Sequence, residues 1–213
     1  PAGAEVKVEQ IKSEFIFGAH IFNYDQLGSD ACNEAYKELY GTLFNSATIA
    51  FYWKQFELEE DKPRFRAEDS ADFWNKCTDP KHQPHWRRPA TDPVVEFCLN
   101  KGIRLHGHTL VWGNNRWQIP EWLMAKIPLD ALKNANLNRN PNDNTLLSEA
   151  TGSVFGSMTA DEFAKKYPEF TTELNVRMAK RIMEIALRYG DRIDSWDVVN
   201  ESAGDFGKGN MIP

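Results

Sequence analysis

Four short apolar runs, each separated from the next by a segment of helical periodicity, limit what this chain can fold into more than any other feature. Phe15 to Phe22 (broken by Gly18), Asn45 to Trp53, Ile103 to Trp112 and Asp194 to Glu201 read as strands, from their β-branched and aromatic content. Ser29 offers an N-cap ahead of a stripe of Cys32, Ala35, Tyr36, Leu39 and Tyr40, with Gly41 as the stop. Asp92-Pro93 reads as a cap followed by a proline at the first helical position, before Val94, Val95, Cys98, Leu99 and the terminating Gly102. A longer helix from Thr172 to Tyr189 buries Leu174, Met178, Ile182, Ile185, Ala186 and Tyr189 and closes at Gly190. Strand and helix thus alternate as βαβαβαβ, which implies parallel strands joined by right-handed crossovers. Four such strands cannot close an eight-stranded barrel; in a barrel of parallel strands the active site lies at the C-terminal strand ends.

A net charge of −6 argues against a nucleic-acid surface, which needs a basic stripe. No apolar run approaches the ~20 residues of a membrane span. The start, Pro1-Ala2-Gly3-Ala4, shows no signal-peptide pattern and reads as a processed or trimmed terminus. Cys32, Cys77 and Cys98 form no disulfide framework, and Cys32 and Cys98 are expected on apolar helix faces as small hydrophobes. Asp69 to Cys77 reads as a short helix, and the proline-punctuated 78–91 and the irregular 129–168 read as loop insertions. Seven Trp residues stand out, because indole faces suit stacking on pyranose rings; core packing is the reading for Trp74 and Trp86.

The polar groups gather at strand ends: Lys54 after the second strand, His108 and Trp112 on the third, Asn200-Glu201 after the fourth. Alternation puts His106, His108, Leu110 and Trp112 on one face. Lys and His donate hydrogen bonds, Asn donates or accepts, Trp walls the site and Glu transfers a proton. Such a set suits a polyhydroxylated substrate with an acid-labile linkage.

Gly107-His108-Thr109-Leu110-Val111-Trp112, then Pro120-Glu121-Trp122, and Trp196-Asp197-Val198-Val199-Asn200-Glu201 resemble glycoside hydrolase family 10, the xylanase family. Phe44-Asn45-Ser46-Ala47-Thr48 through Lys54, with Glu59 and Phe65, resembles that family's second-strand region. The resemblance implies an α/β fold, a (β/α)8 TIM barrel, with residues 1–213 as the N-terminal half of one domain, roughly its first four βα units. It implies retaining hydrolysis of β-1,4-xylan without cofactor or metal, and a secreted, periplasmic or cell-surface location. Glu201 takes the role of general acid/base, Asn200 that of the hand on the sugar 2-hydroxyl, and Lys54, His108 and Trp112 line the same subsite. The implied partners are a polysaccharide or oligosaccharide and the remaining half of the barrel. The second carboxylate of a retaining pair, roughly 5–5.5 Å away, falls in the family on a later strand. Asp197, expected to be buried mid-strand and turned away, and Glu57 and Glu59, expected to be solvated, are poor substitutes. A bell-shaped pH profile is expected once acid and nucleophile are paired.

The chain departs from the family pattern where Glu-Asn-Glu-Met-Lys is replaced by Ala50-Phe51-Tyr52-Trp53-Lys54, losing the Glu and Asn that grip the next sugar. After Trp112, His-Ser-Gln becomes Gly113-Asn114-Asn115, where Asn115 takes part of the Gln's work and Arg116-Trp117 offers a replacement platform. Two rival readings remain: a carbohydrate-binding barrel without turnover, and a metal-dependent barrel hydrolase using His106 and His108. His106 alone reads as a packed core histidine, and Cys77, His82 and His85 read as loop residues rather than ligands.

Overall fold

A computed structural model describes residues 3–11, 13–66, 68, 88–113, 118–128, 130–131, 138–139, 146–147 and 158–201. Strand β1 (Gly18–His20) leads through α1 (Asp30–Leu43) to β2 (Ser46–Ala50), then to a one-turn helix α2 (Trp53–Phe56). Helix α3 (Thr91–Asn100) precedes β3 (Arg104–Trp112), and α4 (Glu121–Met124) follows it. A two-residue ladder of β4 (Asn138–Arg139) and β5 (Leu146–Leu147) comes next, then α5 (Ala160–Lys166), α6 (Pro168–Tyr189) and β6 (Ser195–Asn200). Strands β1, β2, β3 and β6 form one parallel sheet in that order. The sheet order follows the chain order, so each strand of the sheet lies beside the one before it.

The core lies between this sheet and its helices. Ala47, Ile49 and Leu105 from the strands meet Tyr40 of α1, Val94, Val95 and Cys98 of α3, and Ile185 and Tyr189 of α6. Each aliphatic side chain of this size, fully buried, contributes about 1.5–3 kcal/mol. Trp53, Ile119, Leu123, Met124, Phe163, Phe170 and Leu174 form a second apolar cluster joining α2, α4, α5 and the first half of α6. Gly107 of β3 permits the closest contact between strands. A Cβ there would lie 2.2 Å from Cε3 of Trp196 on β6, so the indole can cover β3 only because that atom is missing.

Several expectations need correction. Helix α1 runs through Gly41 and ends at Leu43 with Phe44 as its C-cap, because the Phe44 amide still bonds to the Tyr40 carbonyl. Of the apolar stripe on α1, Tyr40 is buried and Tyr36 half-buried, while Cys32, Ala35 and Leu39 face solvent. Helix α1 stands at the β1 edge of the sheet and turns only its tyrosines to the core. Helix α3 starts at Thr91 with Ala90 as N-cap, so Asp92 lies inside the first turn and binds Arg188 and Tyr189 instead. Strand β2 stops at Ala50, and Trp53 and Lys54 belong to a helical turn. Ala186 is exposed, and the charged Arg181 occupies the buried stripe of α6. Within 129–168, helix α5 carries a full capping box from Thr159 and Glu162, so that stretch is not wholly irregular. The Asp69–Cys77 helix and most of the 78–91 insertion lie outside the described residues.

Apolar side chains on β6, α6 and α1 and ahead of β1 are covered by nothing described. Val198 and Val199 on β6, Met183 and Leu187 on α6, Phe15 to Phe17 ahead of β1, and Leu39 and Leu43 on α1 are all exposed. The close indole contact generates a test: Gly107→Ala should lower stability by at least about 2 kcal/mol in denaturant titration. An unchanged midpoint would show that Trp196 does not depend on the missing Cβ.

Candidate active site

The parallel pairing of β3 with β6 sets His106 opposite Ser195, His108 opposite Asp197 and Trp112 opposite Asn200. Directly paired residues of parallel strands share a face, and the side chains accordingly meet. His108 Nδ1 lies 2.7 Å from Asp197 Oδ2, and His106 Nδ1 lies 2.9 Å from Ser195 Oγ. His106 Nε2 approaches the same Asp197 oxygen at 3.5 Å. One residue beyond the strand, Trp112 Nε1 donates to Glu201 Oε2 at 3.1 Å. Glu201 is exposed and has φ 54°, a left-handed backbone that costs a non-glycine residue about 1–3 kcal/mol and aims its side chain at the strand tips.

Tyr52 fills the space between these groups. Its ring meets His108 edge-on at 5.3 Å and lies 5.8 Å from Trp112, with Phe22 on a further side at 5.9 Å. The Arg88 guanidinium lies over both Phe22 and Tyr52, at 4.6 and 5.5 Å from the ring centroids. Burial pushes the Tyr52 phenol up; Arg88 opposes this, and the charges of Glu201 and Asp197 add to it. Aromatic faces, a cation and two carboxylates therefore converge at the C-terminal end of β2, β3 and β6.

The expected site residues divide. His108, Trp112 and Glu201 come together, and Asn200, half-buried, sits at the paired position beside Trp112. Lys54 is buried in α2 and forms its ion pair with Glu121 of α4, rather than with the Trp112–Glu201 pair. Asn115, Arg116 and Trp117 lie outside the described residues, as do Cys77, His82 and His85. Leu110 joins the core cluster; β3 shifts register against β6 between His108 and Val111, so simple alternation does not carry through the strand.

Asp197 is not buried mid-strand. Its side chain is 42% exposed, and the hydrogen bond from His108 holds its carboxyl below the usual range, with burial opposing and the charge of His106 assisting. His106 is half-exposed rather than packed in the core, because the face of β3 that carries it is turned away from the helices. Glu57 is buried, not solvated: it accepts from Trp53 Nε1 at 2.8 Å and from the Asp61 amide at 2.9 Å, and burial pushes its carboxyl up. Glu59 is exposed and pairs with Lys62. Among the described residues no group of three or more His, Cys, Asp or Glu is arranged to hold a metal ion.

Sequence reasoning missed Tyr52, Phe22, Arg88 and Arg181. For Tyr52 a signal existed, since it stands two residues past Ala50 and shares its phase on the strand. Arg88 follows a proline-rich stretch of sequence and carried no periodic signal.

This chain belongs to glycosyl hydrolase family 10, whose model matches residues 8–211. Endo-1,4-beta-xylanase A of Halalkalibacterium halodurans is 30% identical over 123 residues, covering 57% of this chain and 24% of that protein. Endo-1,4-beta-xylanase C of Paenibacillus barcinonensis is 23% identical over 199 residues, covering 93% of this chain and 12% of that protein. Among solved structures, xylanase 10B of Thermotoga petrophila RKU-1 in complex with xylobiose matches with TM-score 0.49 and 22% identity, over 92% of this chain and 38% of that one. The chain thus spans a quarter or less of these curated relatives. Family membership makes the four-stranded parallel sheet part of a (β/α)8 barrel.

A carboxylate whose folded pKa is depressed contributes stability above its unfolded pKa, near 3.9 for Asp, and loses it as pH falls through the folded value. Acid unfolding followed by circular dichroism should therefore be less steep below about pH 4 in Asp197→Asn than in the parent. Coincident acid limbs would mean that the His108–Asp197 contact does not persist in solution.

Proposed function

We propose that the protein hydrolyses internal β-1,4-xylosidic bonds of xylan or a related plant cell-wall polysaccharide with retention, Glu201 serving as general acid/base. The observation that carries this reading is the Trp112–Glu201 hydrogen bond, which sets an exposed carboxylate at the tip of a barrel strand against an indole wall. In that role Glu201 protonates the leaving oxygen and then takes a proton from the incoming water. Asn200 holds the sugar 2-hydroxyl, and His108 and Trp112 line the same subsite. His108 is oriented for this by Asp197, which occupies one ring nitrogen and leaves the other for substrate. Lys54 and Asn115 complete the subsite set that the family pattern implies; Lys54 would reach a sugar only by exchanging its partner Glu121. The family pattern places the nucleophile, a Glu, on a strand later in the barrel than β6; Asp197 is engaged by His108, and Glu57 by Trp53 and Asp61. Residues 1–213 thus form the N-terminal half of a single (β/α)8 domain, with insertions near 78–91 and 129–168. The exposed edges of β1 and β6 meet the other half.

One observation favours a second reading, a carbohydrate-binding barrel without turnover. Ala50 and Phe51 replace a gripping Glu and Asn, and both are buried, Phe51 fully and against Tyr189 and Trp196. Neither can hold a sugar. The two readings part in one experiment on the intact protein. Hydrolysis predicts that short xylo-oligosaccharides are released from xylan and that Glu201→Gln lowers this release at least about 100-fold while xylotriose still binds. Binding without release by the parent protein would establish the second reading instead.

A further inference from the structure

Arg181 lies in the middle of α6 and is 2% exposed. Among the described residues no carboxylate is in ion-pair contact with it. Its guanidinium donates to the Leu110 carbonyl at 2.6 Å, to the Thr109 carbonyl at 3.1 Å, and to the Phe51 carbonyl. Trp53 and Phe56 flank it, at 5.7 and 6.0 Å from their ring centroids. Burial lowers its pKa to about 9, and Glu57 works against that shift, so the group is a cation at neutral pH. Filling a core position with a charge costs more than filling it with Leu or Met. What the charge gains here is three carbonyls at one place.

Those carbonyls are not scattered. Phe51 directly precedes Tyr52, and Thr109 and Leu110 occupy the part of β3 where the register against β6 shifts, just before Trp112. The Phe51 amide bonds to the His108 carbonyl at 2.6 Å, and Gln118, fully buried, donates to the same Leu110 carbonyl at 3.0 Å. The carbonyls that Arg181 grips therefore adjoin Tyr52 and His108 and lie just before Trp112, whose indole bonds to Glu201.

We propose that Arg181 is a positioning residue of the site: by holding the Phe51, Thr109 and Leu110 carbonyls together it sets Tyr52 against Trp112 and, through the Trp112 indole, the place of Glu201. It touches no substrate. A fixed fork of donors suits three carbonyls in a way that a single ammonium does not. A displacement of ~1 Å at a strand tip can cost ~100-fold in rate. The kinetic part of this proposal rests on the hydrolytic reading of the site; the geometric part does not.

The test compares Arg181→Met and Arg181→Lys with Leu174→Ala, a cavity variant on the same helix but in the second core, all in the intact protein and well below each unfolding midpoint. The first readout is the indole N–H resonance of Trp112, assigned by its loss in Trp112→Phe, and its pH titration with Glu201. The second is kcat and KM on xylo-oligosaccharides. Arg181→Met should shift the indole resonance, lose its titration and lower kcat ~100-fold with little change in KM; Arg181→Lys should recover part of both. Leu174→Ala should leave the resonance in place and kcat within about two-fold, since Leu174 packs in the second cluster, which includes neither Tyr52 nor Trp112. If Arg181→Met fails to fold, the Lys variant decides, with a shifted resonance and a kcat loss of ~10-fold expected. A parental resonance and kcat in the folded Met variant, or in the Lys variant where Met does not fold, would overturn the proposal. Should the parent protein not hydrolyse xylan, the hydrolytic reading fails and the indole titration alone decides the role of Arg181.

Discussion

In the β3–β6 pair, His106, His108 and Trp112 stand opposite Ser195, Asp197 and Asn200, and the first two pairs are closed by side-chain contacts. Because the strands are parallel, those three pairs also set how far each strand projects beyond the sheet. Trp112 and Asn200 end level, so the next residue, Glu201, falls within reach of the Trp112 indole. A slip of one residue would turn His108 and Asp197 to opposite faces and separate the indole from the carboxylate. The register itself is favoured by Gly107, beneath whose bare Cα the Trp196 ring lies.

Around this pair the chain spends polar groups where apolar ones would pack more cheaply. Glu57 holds the Trp53 indole, Lys54 pairs with Glu121, and Gln118 bonds to the Leu110 carbonyl. All but Glu121 are buried; the first contact lies within the α2 turn, the second ties α2 to α4, and the third ties the loop before α4 to β3. A buried charge or amide is costly when its partner is missing, so such ties favour one arrangement over its neighbours. The outer side of the sheet shows the opposite character. There Arg177 bridges Glu173 and Asp61, and Lys126 bridges Glu60 and Glu173, in a solvent-facing network whose members contribute little individually.

Much of this was legible in the sequence. The four strands and their parallel order followed from periodicity, and Glu201 from its place after two β-branched residues. The errors have physical causes. Cys32, Ala35 and Leu39 have the spacing of a buried stripe, but spacing cannot tell that α1 stands at a sheet edge. Asp197 was expected to be buried and turned away, whereas the pairing with His108 draws it to the site face. Arg181 could not be found by pattern, because an arginine on a helical stripe looks like an interruption unless the carbonyls it serves are known. Tyr52 stood among the residues that replace the family's Glu-Asn-Glu-Met-Lys and was given no role; its ring lies beside both His108 and Trp112.

In the proposed reaction Glu201 supplies a proton to the leaving group. This role is tested most directly by comparing, in Glu201→Ala of the intact protein, xylan with an aryl β-xylobioside whose phenol leaves without protonation. With Glu201 as the acid/base, xylan hydrolysis is nearly abolished, the first step on the aryl substrate is largely kept, and azide speeds turnover by replacing the water that Glu201 no longer activates. Equal losses on both substrates, with no response to azide, would contradict it.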